Sequence, residues 1–302
     1  MDENLSHHGI FEKVNEEKVP NDVLKILYRR ASCRNFQDKE IEEDVQKYIL
    51  KAGIHTPSGG NLQPYSIIKI QSRDNRARIA ELCGQEFMAR APVHLLFCID
   101  WHRLERWAVL EKAPFSAHRS MIHFWISFQD TLISAQNICT AADSLGLGSV
   151  YIGTITSLLD ELRELLSLPE KVFPVVLLCL GYPSKYPEPR RKLAMSAIVH
   201  NEKYNELSDS DLLKAFNEKY EEQKIPINDD NMETMYEVCK AIHGEAFADN
   251  CIKSIKQRGY INPVQRYFGL HYRADMIIGE NDYFLDGMKK SGFRWFDKNE
   301  EL

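Results

Sequence analysis

A chain of 302 residues can hold one large domain or two modest ones, and 44% hydrophobic with 27% charged residues is an ordinary globular composition. A net charge of −6 gives no electrostatic case for nucleic-acid binding. The longest apolar runs, such as 173–180, are far too short to cross a bilayer, so no membrane association is expected.

The amino terminus is acidic and polar, without the basic-then-apolar order of a signal peptide, and His7-His8 is only a pair. Residues 21–30 read as a helix with Asn21 or Asp22 as its cap. A second helix is expected over 40–52, stopping at Gly53, followed by a loop, Thr56-Pro57-Ser58-Gly59-Gly60-Asn61-Leu62-Gln63-Pro64. A strand at 65–70, a short helix and a strand at 93–100 come next. The longest helical candidate runs from about 119 to 145, where Leu132, Ile133, Ile138, Ala141, Ala142 and Leu145 recur at helical spacing, and it breaks at Gly146-Leu147-Gly148. Residues 149–152 read as a short strand, and Ser157-x-x-Asp160 as a capping box for the next helix. The run 173–180 is the kind of strand that is buried on both faces, and a Pro-rich loop then ends in Arg190-Arg191-Lys192. Beyond residue 201 the chain turns highly charged and helical, with candidates at 209–222, 231–257 and 282–290. Strands interleaved with helices point to a layered core over residues 1–200, and 201–302 reads as a helical extension of the same domain.

Cys33, Cys83, Cys98, Cys139, Cys179, Cys239 and Cys251 are scattered, odd in number and never spaced C-x-x-C. That argues against a disulfide framework and against a zinc site, and it places the chain in a reducing compartment, hence the cytoplasm.

Three distant segments share one chemical theme. Arg30 and Arg34 flank Ser32, offering charge, forked donors and a hydroxyl to a phosphate. Ser58, Gly59, Asn61 and Gln63 combine open backbone with amide donors, and Arg190 and Lys192 add two cations after a buried strand. Read singly, each is also an ordinary solvated cluster or turn. Gly146–Gly153 is a glycine-rich turn, but it follows a helix and is not G-x-G-x-x-G, which speaks against a Rossmann dinucleotide site.

In order and approximate spacing, RASCRNF (30–36), PSGGNLQPYSIIKI (57–70), CGQEFMARAPVHLLFCID (83–100), GLGSVYIG (146–153) and LCLGYPSKYPEPRRKLAMSAIVH (178–200) resemble the FMN-dependent nitroreductase family. The likeness is to its oxygen-insensitive NADPH nitroreductase and flavin reductase branch, with a weaker echo in FLDGMKKSGF (284–293). The resemblance implies an α+β, three-layer α-β-α fold around a mixed, mostly antiparallel sheet, in an intertwined homodimer. It implies FMN as cofactor, NADPH or NADH as donor, and a small aromatic or quinone-like acceptor such as a nitroaromatic, a quinone or a flavin. By the same resemblance Arg30 and Ser32 match residues at the FMN phosphate and ribityl chain, and Arg34 matches the cation at the flavin pyrimidine edge. Ser58, Gly59, Asn61 and Gln63 match a loop contributed across the dimer interface. Gln85 matches a flavin-contacting glutamine, Ile152 and Gly153 the backbone at flavin O4 and N5, and Arg190 and Lys192 the paired phosphate-binding cations. No side chain is expected to act as nucleophile, because the cofactor carries the chemistry.

Ala31 and Ala194 depart from the family pattern, and the stretch between about Glu222 and His271 is extra length. Arg258, Arg266 and Arg273 in or beside it are candidate readers of a nicotinamide 2′-phosphate. A relative with a dedicated reaction, such as reductive dehalogenation or enone reduction, would share every FMN motif. Flavin sequestration or redox sensing is the non-enzymatic alternative.

Overall fold

Two strands whose every residue is buried set the architecture. In the computed structural model, which describes residues 19–221 and 223–296, β1 (Tyr65–Ile70), β2 (Val93–Asp100), β3 (Gly148–Ile152) and β4 (Val172–Gly181) form one sheet. Its order is β1-β2-β4-β3 and every strand pair is antiparallel. The mixed character expected of the sheet is confined to one isolated parallel bridge, Ser32 to Ser149. His7-His8 lies outside the described residues.

β2 and β4 pair at the centre, with Leu96 opposite Leu177 and a bulge at Phe97/Cys98. Their side chains feed two separate clusters, so helices must cover both faces. On one face Phe97, Phe173, Leu178 and Leu180 pack with α2 (Glu43–Ile54) and α5 (Met121–Ser144). On the other, Leu96, Cys98, Leu177 and Cys179 pack with α3 (Arg73–Leu82) and α6 (Leu159–Leu166). The result is a three-layer α-β-α core, in which each fully buried leucine or phenylalanine contributes about 1.5–3 kcal/mol. Trp101, Phe124 and Phe173 close on Phe293 with ring centroids 5.2, 5.4 and 5.7 Å apart, so Phe293 packs into this core.

Short helices fill the connections. α1 (Asp22–Arg29) is capped by Asn21, whose side chain accepts from the Leu24 amide. α4 (Trp101–Leu110), not foreseen in the sequence reading, starts where Asp100 at the end of β2 accepts from the Arg103 amide. The contacts divide the described residues into two compact units: Val19–Pro189 with the chain from Asp282 onward, and Arg190–Asn281. The second unit holds α7 (Asp209–Tyr220), α8 (Asp229–His243), α9 (Glu245–Arg258) and the single turn α10 (Pro263–Arg266). α11 (Glu280–Lys290) begins at the boundary and leads back into the first unit.

Three local expectations are corrected. Gly53 does not stop α2, which runs through to Ile54. A Cβ on Gly53 would stand 2.5 Å from Ile138 Cδ1, so the glycine serves a close helix–helix approach. Ser157 is not the cap of α6: it ends a 3-10 turn, Thr154–Ser157, and the Leu159 amide donates instead to Tyr283 Oη at 3.1 Å. The helix expected over 231–257 is two helices, α8 and α9, broken at Gly244 with φ +85°.

Candidate active site

Segment 30–37 lies along the edge of the sheet because of one glycine. A Cβ on Gly148 would meet Cys33 Cβ at 2.7 Å and Sγ at 2.8 Å. Bare backbone at Gly148 therefore lets the Cys33 amide donate to Ser149 O at 2.9 Å beside the Ser32–Ser149 bridge. What approaches the glycine-rich turn is the chain's own Cys33.

Arg30 reaches inward from this segment. Its Nε donates to Cys139 Sγ at 3.4 Å, its guanidinium lies 5.6 Å from the Tyr151 ring centroid, and its Nη2 is buried without a hydrogen-bond partner. Asp143 Oδ2 is likewise buried and unpartnered. Burial pushes the Asp143 carboxyl up to about 6, and the Arg30 charge only partly opposes that. Orphaned donors of this kind are satisfied by strong acceptors such as phosphate oxygens. Arg34 is exposed, 6.0 Å from the Phe87 ring centroid, and makes no hydrogen bond or ion pair among the described residues.

Ile152 ends β3 buried, and at Gly153 an added Cβ would meet nothing within 4 Å. The backbone is thus open at the strand's end. The next residue, Thr154, accepts from Gln85 Nε2 at 3.1 Å, which brings Gln85 to the same place. Arg30, Ser32, Gln85, Ile152 and Gly153 accordingly gather along β3 and its C-terminal end, and Arg34 follows in the same edge segment.

The loop 58–63 is built differently. Gly60, Asn61 and Gln63 take φ of +59°, +55° and +49°, left-handed values that cost energy at the two non-glycine positions. Three tethers hold them. The Gly59 amide donates to Asp130 Oδ2 on α5 at 3.0 Å, and the Gln63 amide to Ser58 Oγ at 3.1 Å. Arg103 Nη2 on α4 donates to Gln63 O at 2.6 Å and to Tyr65 O at 2.9 Å. Burial raises the Asp130 carboxyl, and its bond from the Gly59 amide pulls it back down. The Gln63 side chain is partly spent, its Nε2 donating to Ile54 O at 3.0 Å, whereas Asn61 is exposed. Asp130 and Cys139 anchor the loop and Arg30 on one helix. Nine residues separate them, about 13 Å at 1.5 Å per residue.

Arg190 and Lys192 belong to the second unit. Both are exposed without a partner among the described residues, whereas Arg191 between them binds Glu221 Oε2 at 2.6 Å.

The sequence profile of the nitroreductase family matches residues 27–182. The chain belongs to the nitroreductase family. It is 34% identical over 200 residues to the oxygen-insensitive NADPH nitroreductase of Salmonella typhimurium, covering 66% of this chain and 81% of that one. The structure of NfrA2 from B. megaterium is similar with a TM-score of 0.68 at 27% identity, over 91% of this chain and 99% of that one. The Vibrio harveyi NADPH:FMN oxidoreductase, solved in complex with NAD+, gives 0.61 at 31% identity over 65% and 84%.

In this nitroreductase-family chain, sequence reasoning missed Arg103, Asp130 and Asp143, which hold or balance the predicted site residues. An acid within a long apolar helix was the available signal for Asp130. On the same helix Ser127, Asp130, Thr131 and Ser134 are buried along with Ile138 and Ala142, while Ile122, Trp125 and Ile133 are exposed. Of the candidate nicotinamide readers, Arg258 donates to Ser254 Oγ and Gln265 Oε1, Arg273 pairs with Asp275, and Arg266 is exposed.

Proposed function

We propose that this chain is an FMN-dependent NAD(P)H oxidoreductase that passes electrons to a small nitroaromatic, quinone or flavin acceptor. The observation carrying the reading is the open backbone of Gly153, flanked by Gln85 and by Arg30 with its orphaned donor. A flat ring needs exposed backbone to lie against, and a phosphate tail needs unspent cations; these residues fit FMN on both counts. The relatives named above, an NADPH nitroreductase and an NADPH:FMN oxidoreductase, support the same chemistry.

When bound, FMN supplies hydride transfer between a reduced nicotinamide and the acceptor. The chain's part is to hold it and tune it. Arg30 and Ser32 are the proposed phosphate donors of the first unit, and for the exposed Arg190 and Lys192 of the second unit a phosphate-binding role rests on the family resemblance alone. Arg34, with no anionic partner of its own, is the proposed cation beside the pyrimidine edge, where it favours the more negative reduced state. The backbone at Ile152–Gly153 and the Gln85 amide orient the ring. None of these groups has to give or take a proton, so a narrow pH optimum set by a side chain is not expected.

A homodimer is part of the proposal. The α5 anchors of the Ser58–Gln63 loop and of Arg30 lie about 13 Å apart, and the family resemblance supports the reading that this loop serves the flavin of a second subunit. The outward face of α5 is suited to such a partner: Met121, Ile122 and Trp125 are 62%, 73% and 56% exposed. No helix among the described residues is long and apolar enough to cross a membrane. The seven cysteines are free, which fits a cytoplasmic location.

An absorption spectrum of the purified protein, followed by anaerobic addition of NADPH and then NADH, tests the reading. Flavin bands that bleach with one donor establish the oxidoreductase and its nicotinamide together. A colourless protein that takes up no added FMN overturns it.

A further inference from the structure

Five of the seven cysteines are buried in the sheet-centred core, whereas Cys239 on α8 and Cys251 on α9 are only partly buried. These two pack together against Met235, Ile255 and Ile261, and both line a cavity of about 390 Å³ whose apolar wall includes Ile242, Phe247 and Phe268. The cavity lies wholly within the Arg190–Asn281 unit and includes no residue of the proposed flavin site.

Gln265 makes the pair asymmetric. Its backbone amide donates to Asn262 Oδ1 at 2.8 Å, and its Oε1 accepts from the Asn262 amide at 3.1 Å and from Arg258 Nη1 at 3.2 Å. With the carbonyl end engaged twice, the amide end is turned to Cys251, and Nε2 donates to its Sγ at 3.6 Å. This bond is made to Cys251 and not to Cys239, so Cys251 is the sulfur of the pair that an amide donor orients. Cys239 lines the same cavity on the facing helix. Cys239 has the opposite setting: burial first, and then the neighbouring sulfur, push its thiol up to about 12.

We propose that Cys239 and Cys251 form a peroxide-sensitive dithiol, with Cys251 as the attacking sulfur and Cys239 as the resolving one. The Cys251 thiolate, its proton released to solvent, attacks the terminal oxygen of a hydroperoxide. The O–O bond breaks, and the alkoxide or hydroxide leaves and is protonated, giving an alcohol or water and a sulfenic acid on Cys251. Cys239 then attacks that sulfur and loses its proton. The S–O bond breaks, hydroxide leaves as water, and a disulfide joins α8 to α9. The two electrons that reduce the peroxide come from the two thiols. Other thiols of the reducing compartment return the pair to its starting state.

The full-length protein, treated with hydrogen peroxide, alkylated and digested, tests this by mass spectrometry. The expected result is one intramolecular cross-link between the Cys239 and Cys251 peptides, two hydrogens lighter than the thiol pair and reversed by dithiothreitol. Cys239→Ser should leave a dimedone-reactive sulfenic acid on Cys251, whereas Cys251→Ser should leave none on Cys239. Gln265→Leu should slow peroxide oxidation several-fold while diamide still closes the disulfide. Absence of the cross-link in the wild-type chain at peroxide levels that oxidise its other cysteines would overturn the proposal, and this arm needs no variant to fold. Equal dimedone labelling in the two serine variants would overturn the assignment of roles.

Discussion

Gly53→Ala tests how the flavin loop is anchored. The Gly53 carbonyl accepts from Ser134 Oγ at 2.9 Å, Thr56 Oγ1 at 3.0 Å and Tyr65 Oη at 3.2 Å. It therefore joins α2 to α5 and to both ends of the segment carrying Ser58–Gln63. A methyl group there would lie 2.5 and 2.6 Å from Ile138 Cδ1 and Cγ1, more than 1 Å inside ordinary carbon contact, and Ile138 is fully buried. Overpacking of that kind costs about 1–3 kcal/mol, and losing the Ser134 bond about 1 kcal/mol more. Against this stands the helix preference of alanine over glycine, about 1 kcal/mol. Packing wins, with a net loss of about 1–3 kcal/mol. Thermal unfolding followed by circular dichroism should show the midpoint falling by about 6 °C in the middle of that range, and FMN retention on gel filtration should weaken. Ile138→Ala combined with Gly53→Ala should cost less than the two changes summed, because the new methyl partly fills the space vacated. A raised midpoint in Gly53→Ala would refute the close-approach argument and show that helix preference governs the site.

Further outcomes follow from the other anchors. Arg34→Ala should lower the bound flavin's midpoint potential, measured by dye-coupled reductive titration, because the lost cation favours the reduced state; joint replacement of Arg190 and Lys192 should instead weaken FMN binding in both redox states. Arg103→Ala removes the donor to Gln63 O and Tyr65 O, and should speed amide hydrogen exchange over residues 58–64 while leaving exchange in β2 unchanged. Asp143 has a folded value near 6 against an ordinary 3.8, so its contribution is present in acid and is lost as pH rises between about 4 and 6. The unscreened ceiling is about 3 kcal/mol, which solvent access reduces to about 1 kcal/mol. Urea denaturation of Asp143→Asn should lack that downward slope with pH, and an unchanged slope would remove Asp143 as its source.

Much of the fold is legible in the sequence. The run 173–180 announced a strand buried on both faces, and β4 is buried along its whole length with helices on either side. The basic, amide and glycine segments carried the family resemblance, because phosphate and ring recognition use short stretches of consecutive residues. Local reading failed where a residue's role depends on a partner far along the chain. Gly53 looked like a helix stop until Ile138 was found against it, and Ser157 looked like a cap until Tyr283 took over the Leu159 amide. The polar buried face of α5 is not visible in the spacing of its apolar residues, since Asp130 answers to Gly59 and Ser134 to Gly53.

What the sequence by itself determined was the set of elements, the family and the chemical theme, all written in periodicity and in motifs a few residues long. What only the tertiary structure decided was which groups meet: Arg30 with Cys139, Asp130 with Gly59, and Arg103 with the loop. Such meetings follow from how distant elements pack, and no local pattern of side chains encodes contacts between residues 40 to 109 positions apart.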